Sequence, residues 1–102
     1  MLGPPCDAAA MTDDLYDVQL TRPAIRALGR LPEKLADAVL ELCGGVLAEN
    51  PLRVTKPLTG RLSEYRSAYV GIAYRVLVRV DSDERIVYVV RIAHRADAYR
   101  PL

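Results

Sequence analysis

The chain of 102 residues contains no tryptophan and no phenylalanine, only one histidine, two cysteines and two methionines. Each scarcity removes a class of function. His94, Cys6 and Cys43 cannot supply the three or four ligands of a zinc site, so neither a metal nor another cofactor is expected. The same residues are too few for a Ser-His-Asp or Cys-His device, because neither cysteine stands in a Gly-rich or strand-end context that would expose and activate it. A Gly-rich phosphate loop is missing as well. One cysteine lies in the lead segment and the other on an apolar helical stripe, which reads as two reduced thiols rather than a disulfide framework. No run of about 20 apolar residues exists, and positions 1 to 11 lack the basic flank and apolar block of a signal peptide. A cytoplasmic protein with no membrane partner is expected, and Met11 is a candidate natural start.

What remains is enough for one domain with a single core. The first fourteen residues hold Asp7, Asp13 and Asp14 and no Lys or Arg, so the overall charge of +1 becomes +4 over positions 15 to 102. Residues 1–14 are expected to be a disordered tail. The mildly basic remainder points weakly to an anionic partner. Its cations concentrate in the C-terminal half as arginines (Arg61, Arg66, Arg75, Arg79, Arg85, Arg91, Arg95 and Arg100), which suits phosphate recognition but also a GC-rich genome. Six tyrosines are the only aromatics, a set that favours half-buried sheet positions and base stacking.

Leu15 to Leu20 alternates apolar and polar residues and predicts a short strand. Thr21 is a candidate helix N-cap, with Pro23 tolerated in the first turn of a helix running to about Leu31. After Pro32, the spacing of Leu35, Val39, Leu42, Cys43, Val46 and Leu47 predicts an amphipathic helix of three to four turns. The two helices form an antiparallel hairpin. Gly44-Gly45 marks either close packing against a sheet or an early helix end. Asn50-Pro51 stops the helix, and residues 51 to 60 are expected to form a basic loop. Strands follow near 62–70, 72–81 and 85–93, with residues 81–84 turning between the last two. Alternation puts Ile72, Tyr74, Val76, Val78 and Val80 on one face and Ala73, Arg75, Leu77 and Arg79 on the other. In the last strand it groups Ile86, Tyr88, Val90 and Ile92 opposite Arg85, Val87, Val89 and Arg91. The order β-α-α-β-β-β predicts an α+β fold: a four-stranded, mainly antiparallel sheet with a helical hairpin on one face. The opposite face would then carry arginines.

The last strand hands over to Ile92-Ala93-His94-Arg95-Ala96-Asp97-Ala98-Tyr99-Arg100, where a rigid sheet could hold reactive groups against RNA. RNA cleavage needs no cofactor: the 2′-hydroxyl can attack the adjacent phosphate once aligned, given neutralised phosphoryl charge and two proton movements. Arg75 on the open face, with Arg95 and Tyr99 beyond the last strand, meets that specification. Quieter roles stand beside each: Arg75 as a solvated face residue, Tyr99 as an anchor for the tail, His94 as a supporting or solvated side chain.

These residues resemble the RelE toxins of bacterial type II toxin-antitoxin systems, within the RelE/ParE superfamily. The resemblance covers residues 15–102 and rests on five pieces in order: the opening strand, R-x-L-x-x-L-P from Arg26 to Pro32, N-P-x-R-x-x-K-P-L from Asn50 to Leu58, Tyr74-Arg75, and H-R-x-x-x-Y-R from His94 to Arg100. It implies a ribosome-dependent mRNA endoribonuclease that inhibits translation by 2′-hydroxyl attack. Its partners would be the ribosome, mRNA and a cognate antitoxin encoded beside it, with operator DNA reached through the antitoxin. It also implies that Arg75 contacts the scissile phosphate, that Arg95 stabilises it, and that Tyr99 acts as acid or base and stacking group. Arg61, Arg66, His94 and Arg100 are the remaining candidate RNA contacts. The pattern departs at Ser67–Tyr74, where relatives carry a basic cluster and a shorter Gly-x-Tyr-Arg approach, which predicts weaker backbone contacts and attenuated activity. Two other readings share the fold: a ParE-like toxin of DNA gyrase and a catalytically weakened, antitoxin-binding regulator. A Val87/Val89 face and the helix edges are the expected docking surface for an amphipathic antitoxin segment.

Overall fold

A computed structural model describes residues 15–100. The expected tail at 1–14, including Cys6, lies outside the described residues. The elements are β1 (Asp17–Leu20), α1 (Arg22–Arg30), α2 (Glu33–Gly44), α3 (Val46–Glu49), α4 (Pro51–Val54), β2 (Lys56–Pro57), a 3-10 turn at Gly60–Leu62, β3 (Arg66–Val70), β4 (Tyr74–Asp81) and β5 (Ile86–His94). They form an α+β fold around one sheet of order β1-β5-β4-β3-β2. β1 runs parallel to β5, and the other three pairings are antiparallel.

The sheet therefore has five strands rather than four. The extra one comes from residues 51–60, expected to be a loop: Pro51 opens a helical turn, and Lys56–Pro57 then pairs with Arg66 and Ser67. Pro57 lacks an N–H for the ladder, which an edge strand tolerates.

Thr21 takes the N-cap position with extended backbone, but its hydroxyl donates to the Val89 carbonyl at 3.0 Å instead of capping α1. That bond couples the start of the helix to β5. The glycine pair resolves as an early helix end. Gly45 sits at φ −110°, ψ −110°, and a Cβ there would lie 2.9 Å from the Glu41 carbonyl oxygen. The break rotates the stripe: Leu47 is buried while Val46 is 47% exposed, so the expected apolar run holds only as far as Cys43 on α2.

Two clusters lie on opposite sheet faces. Under the helices, Ala24, Val39, Cys43 and Leu47 pack on Ala68, Val70, Val76, Val78, Val87, Val89 and Ile92. On the other face Leu62, Leu77 and Ala98 gather Leu58, Tyr65, Val90 and Ala93, so the 3-10 turn and the C-terminal tail cover part of it.

β4 alternates as expected, whereas β5 does not. Leu77 pairs with Arg91 and Val78 with Val89, leaving Val90 as a bulged residue. One extra residue reverses facing beyond it. Val87, Val89 and Ile92 thus share the helix-side core, and Val90 and Ala93 the opposite cluster. Val87 and Val89, expected to offer a docking face, are both 0% exposed. Ile72 lies in the β3–β4 turn rather than in a strand and is 86% exposed. Among the described residues no helix is long and apolar enough to cross a membrane.

Candidate functional site

β3 sends Ala68 and Val70 into the helix-side core, so Ser67 and Tyr69 face the open side. Each receives one of the expected site residues. Tyr69 is the direct cross-strand partner of Arg75, whose guanidinium carbon lies 4.0 Å from the centre of the Tyr69 ring. Arg75 Nη1 also donates to the carbonyls of Ile72 (3.1 Å) and Tyr74 (2.9 Å). A guanidinium has five N–H donors, so this anchoring leaves Nε and Nη2 for an incoming acceptor. Lys56 Nζ, reached through the short β2 edge, stands 5.9 Å from the same ring.

Ser67 Oγ lies 3.0 Å from the hydroxyl of Tyr99. The tail doubles back to reach it. The Arg95 amide donates to the Ala73 carbonyl (2.6 Å), and the amides of Asp97 and Ala98 close turns onto the His94 carbonyl. Ala98 is then buried against Leu62 and Leu77. Arg91 Nη1 fastens the turn by donating to the carbonyls of Asp97 (3.4 Å), Ala98 (3.1 Å) and Arg100 (2.6 Å). Tyr99 remains 43% exposed and, with Leu58, Thr59, Arg61 and Leu62, lines an open cavity of about 270 Å³.

Arg75 and Tyr99 are thus held on one sheet face through β3 residues two apart, and the Arg95 backbone is tied to Ala73, two residues before Arg75. Arg95 and Arg61 are both exposed. Arg79 stacks on the Tyr88 ring at 4.7 Å on the same face, adding to its positive charge. The Tyr65 phenol is pushed above its ordinary range, chiefly by its hydrogen bond to Glu64.

The other expected contacts divide. His94 is exposed; its Nδ1 accepts the Ala96 amide (3.2 Å), and its ring meets Tyr74 edge-on at 5.7 Å. A neutral His94 therefore carries its proton on Nε2. Arg100 pairs with Asp97 at 3.1 Å, both exposed, which clips the tail weakly. Arg66 is not brought to this group. Its Nε donates to Thr55 Oγ1 (2.7 Å) and its Nη2 to the carbonyls of Thr55 (3.0 Å) and Leu52 (3.1 Å), so it closes the end of α4 instead of facing outward with Arg75.

Sequence reasoning missed Tyr69, Ser67 and Lys56 as parts of the site and Arg91 as the clamp on its tail. The K-P-L piece and strand alternation at 67 and 69 carried a signal for the first three. Arg91 carried none, because its role depends on where the tail returns.

This arrangement, a basic sheet face with a tyrosine-bearing tail and helices behind, defines a small toxin scaffold when set against known proteins. Residues 18–99 match the family described as the ParE toxin of the type II toxin-antitoxin system parDE. Toxin RelG of Mycobacterium tuberculosis is 44% identical over 85 residues, covering 83% of this chain and 97% of that protein. Toxin RelE of the same organism is 43% identical over 91 residues, covering 88% and 93%. The toxin-antitoxin complex RelBE2 from M. tuberculosis superposes with a TM-score of 0.75 at 41% identity, over 79% of this chain and 99% of the matched one. The archaeal RelE-RelB complex from Pyrococcus horikoshii OT3 shares the fold, with a TM-score of 0.63 at 22% identity over 81% and 98%. The chain belongs to the RelE/ParE family of type II toxin-antitoxin toxins.

Proposed function

We propose that this chain is a ribosome-dependent mRNA endoribonuclease that arrests translation and is held inactive by a cognate antitoxin. The observation that carries this reading is that Arg75 and Tyr99 are attached to the same sheet face through Tyr69 and Ser67, two residues apart on β3, with the Arg95 backbone tied to Ala73 at its end. Arginines there suit a phosphodiester and an exposed tyrosine suits a base.

In the reaction, the 2′-oxygen of one nucleotide attacks the adjacent phosphorus and forms a P–O2′ bond while the P–O5′ bond breaks. The 2′-hydroxyl proton leaves to water. Tyr99 donates its phenolic proton to the departing 5′-oxygen and is reprotonated by solvent. Arg75 and Arg95 offset the charge that grows on the non-bridging oxygens. Products are a 2′,3′-cyclic phosphate and a 5′-hydroxyl. The face is open rather than cleft-like, so the alignment of attacking and leaving oxygens must come from the surface that presents the RNA, which is the physical case for ribosome dependence.

Incubation with programmed ribosomes followed by mapping of mRNA ends tests the reading. Wild type cuts, and Arg75→Ala and Tyr99→Phe each slow cleavage about 100-fold or more; no cleavage by wild type, or no effect of either substitution, rejects it. The match to a ParE profile favours a second reading, a toxin acting on DNA gyrase. Gyrase-dependent DNA breaks without mRNA cleavage would select it.

The antitoxin proposal draws on the complex structures of relatives. Exposed Leu40 and Val46 and the groove between α2, α3 and β3 offer apolar contacts beside Glu41 and Glu49, while the arginines of the opposite sheet face suit an acidic segment. Co-expression with the neighbouring small open reading frame should yield a stable heterocomplex; failure to co-purify counts against it.

A further inference from the structure

Tyr69 occupies a position that burial does not explain. It is 58% exposed and belongs to neither apolar cluster. What its ring does contact is charge: the Arg75 guanidinium at 4.0 Å and the Lys56 ammonium at 5.9 Å. We propose that Tyr69 is a positioning residue that aims Arg75 at the scissile phosphate. This rests on the nuclease reading given above.

An arginine on an open strand face sweeps many rotamers, and each must be frozen when the phosphate arrives. Here the freezing has occurred beforehand. The Tyr69 ring holds the guanidinium by cation–π attraction, and the carbonyls of Ile72 and Tyr74 hold one of its nitrogens. Nε and Nη2 remain, a pair of neighbouring donors of the kind that a bidentate phosphate contact uses. Lys56 approaches the ring from β2 and Arg75 from β4, the two strands that flank β3, so the ring is braced by a cation from either neighbouring strand. Cross-strand pairing makes the device rigid, since Tyr69 and Arg75 face each other directly in the β3–β4 ladder. Where the family pattern has a basic cluster, this chain gathers its cations from neighbouring strands around an aromatic ring.

The test is steady-state mRNA cleavage on programmed ribosomes by the full chain and four variants: Tyr69→Phe, Tyr69→Leu, Arg75→Lys and the double variant Tyr69→Leu/Arg75→Lys. Tyr69→Phe keeps the ring and should stay within about twofold of wild type. Tyr69→Leu should lower kcat about tenfold or more with little change in KM, since the ring acts on the geometry of Arg75 and not on docking. In the Arg75→Lys background the same substitution should add less than about twofold, because the planar group that the ring orients is gone. A merely structural role would give equal losses in both backgrounds, and that result overturns the proposal. So does a Tyr69→Leu enzyme as fast as wild type beside an impaired Arg75→Lys enzyme. If Tyr69→Leu fails to fold by thermal melting, Tyr69→Thr, which suits a strand, takes its place. Absence of cleavage by the unaltered protein would instead overturn the nuclease reading, and this inference with it.

Discussion

Arg91 shows how one side chain can decide where another works. It lies on β5, the strand that leads into the tail it clamps, and its donations to three carbonyls fix the turn that carries Tyr99 to Ser67. Arg91→Ala should loosen that tail, costing about 1–3 kcal/mol of stability by urea denaturation and slowing mRNA cleavage about tenfold or more while Arg75 stays in place. Arg75, Arg95 and Tyr99 stood out in sequence as candidates because the motifs around them suit phosphate chemistry, but Arg91 did not, since nothing local reveals three carbonyls returning to meet it. Cys43 offers a second residue-scale test. Burial pushes its thiol above the ordinary value, so the folded form holds the proton to higher pH than the unfolded chain. That contribution is complete below the unfolded thiol's range, about 8.5, and is lost as pH rises through the higher folded value. Stability measured from pH 7 to 10 should therefore fall more steeply for wild type than for Cys43→Ala, and native Cys43 should resist thiol reagents until urea is added.

At the scale of elements, periodicity located both long helices, their hairpin and the three C-terminal strands, because apolar spacing of 3.6 and 2 residues is a direct image of burial. It failed where one residue changes the phase. Val90 bulges out of β5 and puts the strand's two ends out of phase, so that Val87 and Val89 share the core face with Ile92 instead of forming the expected docking surface. No local signal marks that residue among its β-branched neighbours. Lys56–Pro57 was invisible for a different reason: a two-residue edge strand has no periodicity, and Pro argues against one. The glycine pair was ambiguous in sequence and is decided by geometry. Gly45→Ala would place a methyl group 2.9 Å from the Glu41 carbonyl oxygen, a backbone atom that cannot easily give way. A loss of about 1–3 kcal/mol in chemical denaturation is expected, whereas Gly29→Ala, where a Cβ meets nothing within 4 Å, should be neutral or mildly stabilising.

The whole molecule divides its labour between two sheet faces. One binds the helices through an apolar core, and the other carries Arg61, Arg75 and Arg79, with Arg95 at its end, around the rings of Tyr69, Tyr88 and Tyr99. Charge bookkeeping over the chain hinted at this only faintly, since a net +1 conceals how the sheet sorts its cations. Ribosome affinity should fall with salt, and each phosphate-contacting cation removed should flatten the slope of log K against log salt by about 0.7. Arg61→Gln is expected to do so in a filter-binding titration, while Arg66→Gln should leave the slope alone and lower stability, because that guanidinium is committed to Thr55 and Leu52.

The chemistry ascribed to the arginine–tyrosine face needs one atom that the protein does not own, the 2′-oxygen beside the scissile bond. Programmed ribosomes carrying an mRNA with a single 2′-deoxy nucleotide at each A-site position in turn provide the direct measurement. The expected result is loss of cleavage only when the nucleotide immediately 5′ to the cut lacks its hydroxyl, with a cyclic phosphate on the normal product. Undiminished cleavage of the deoxy substrate at the same bond would contradict the account.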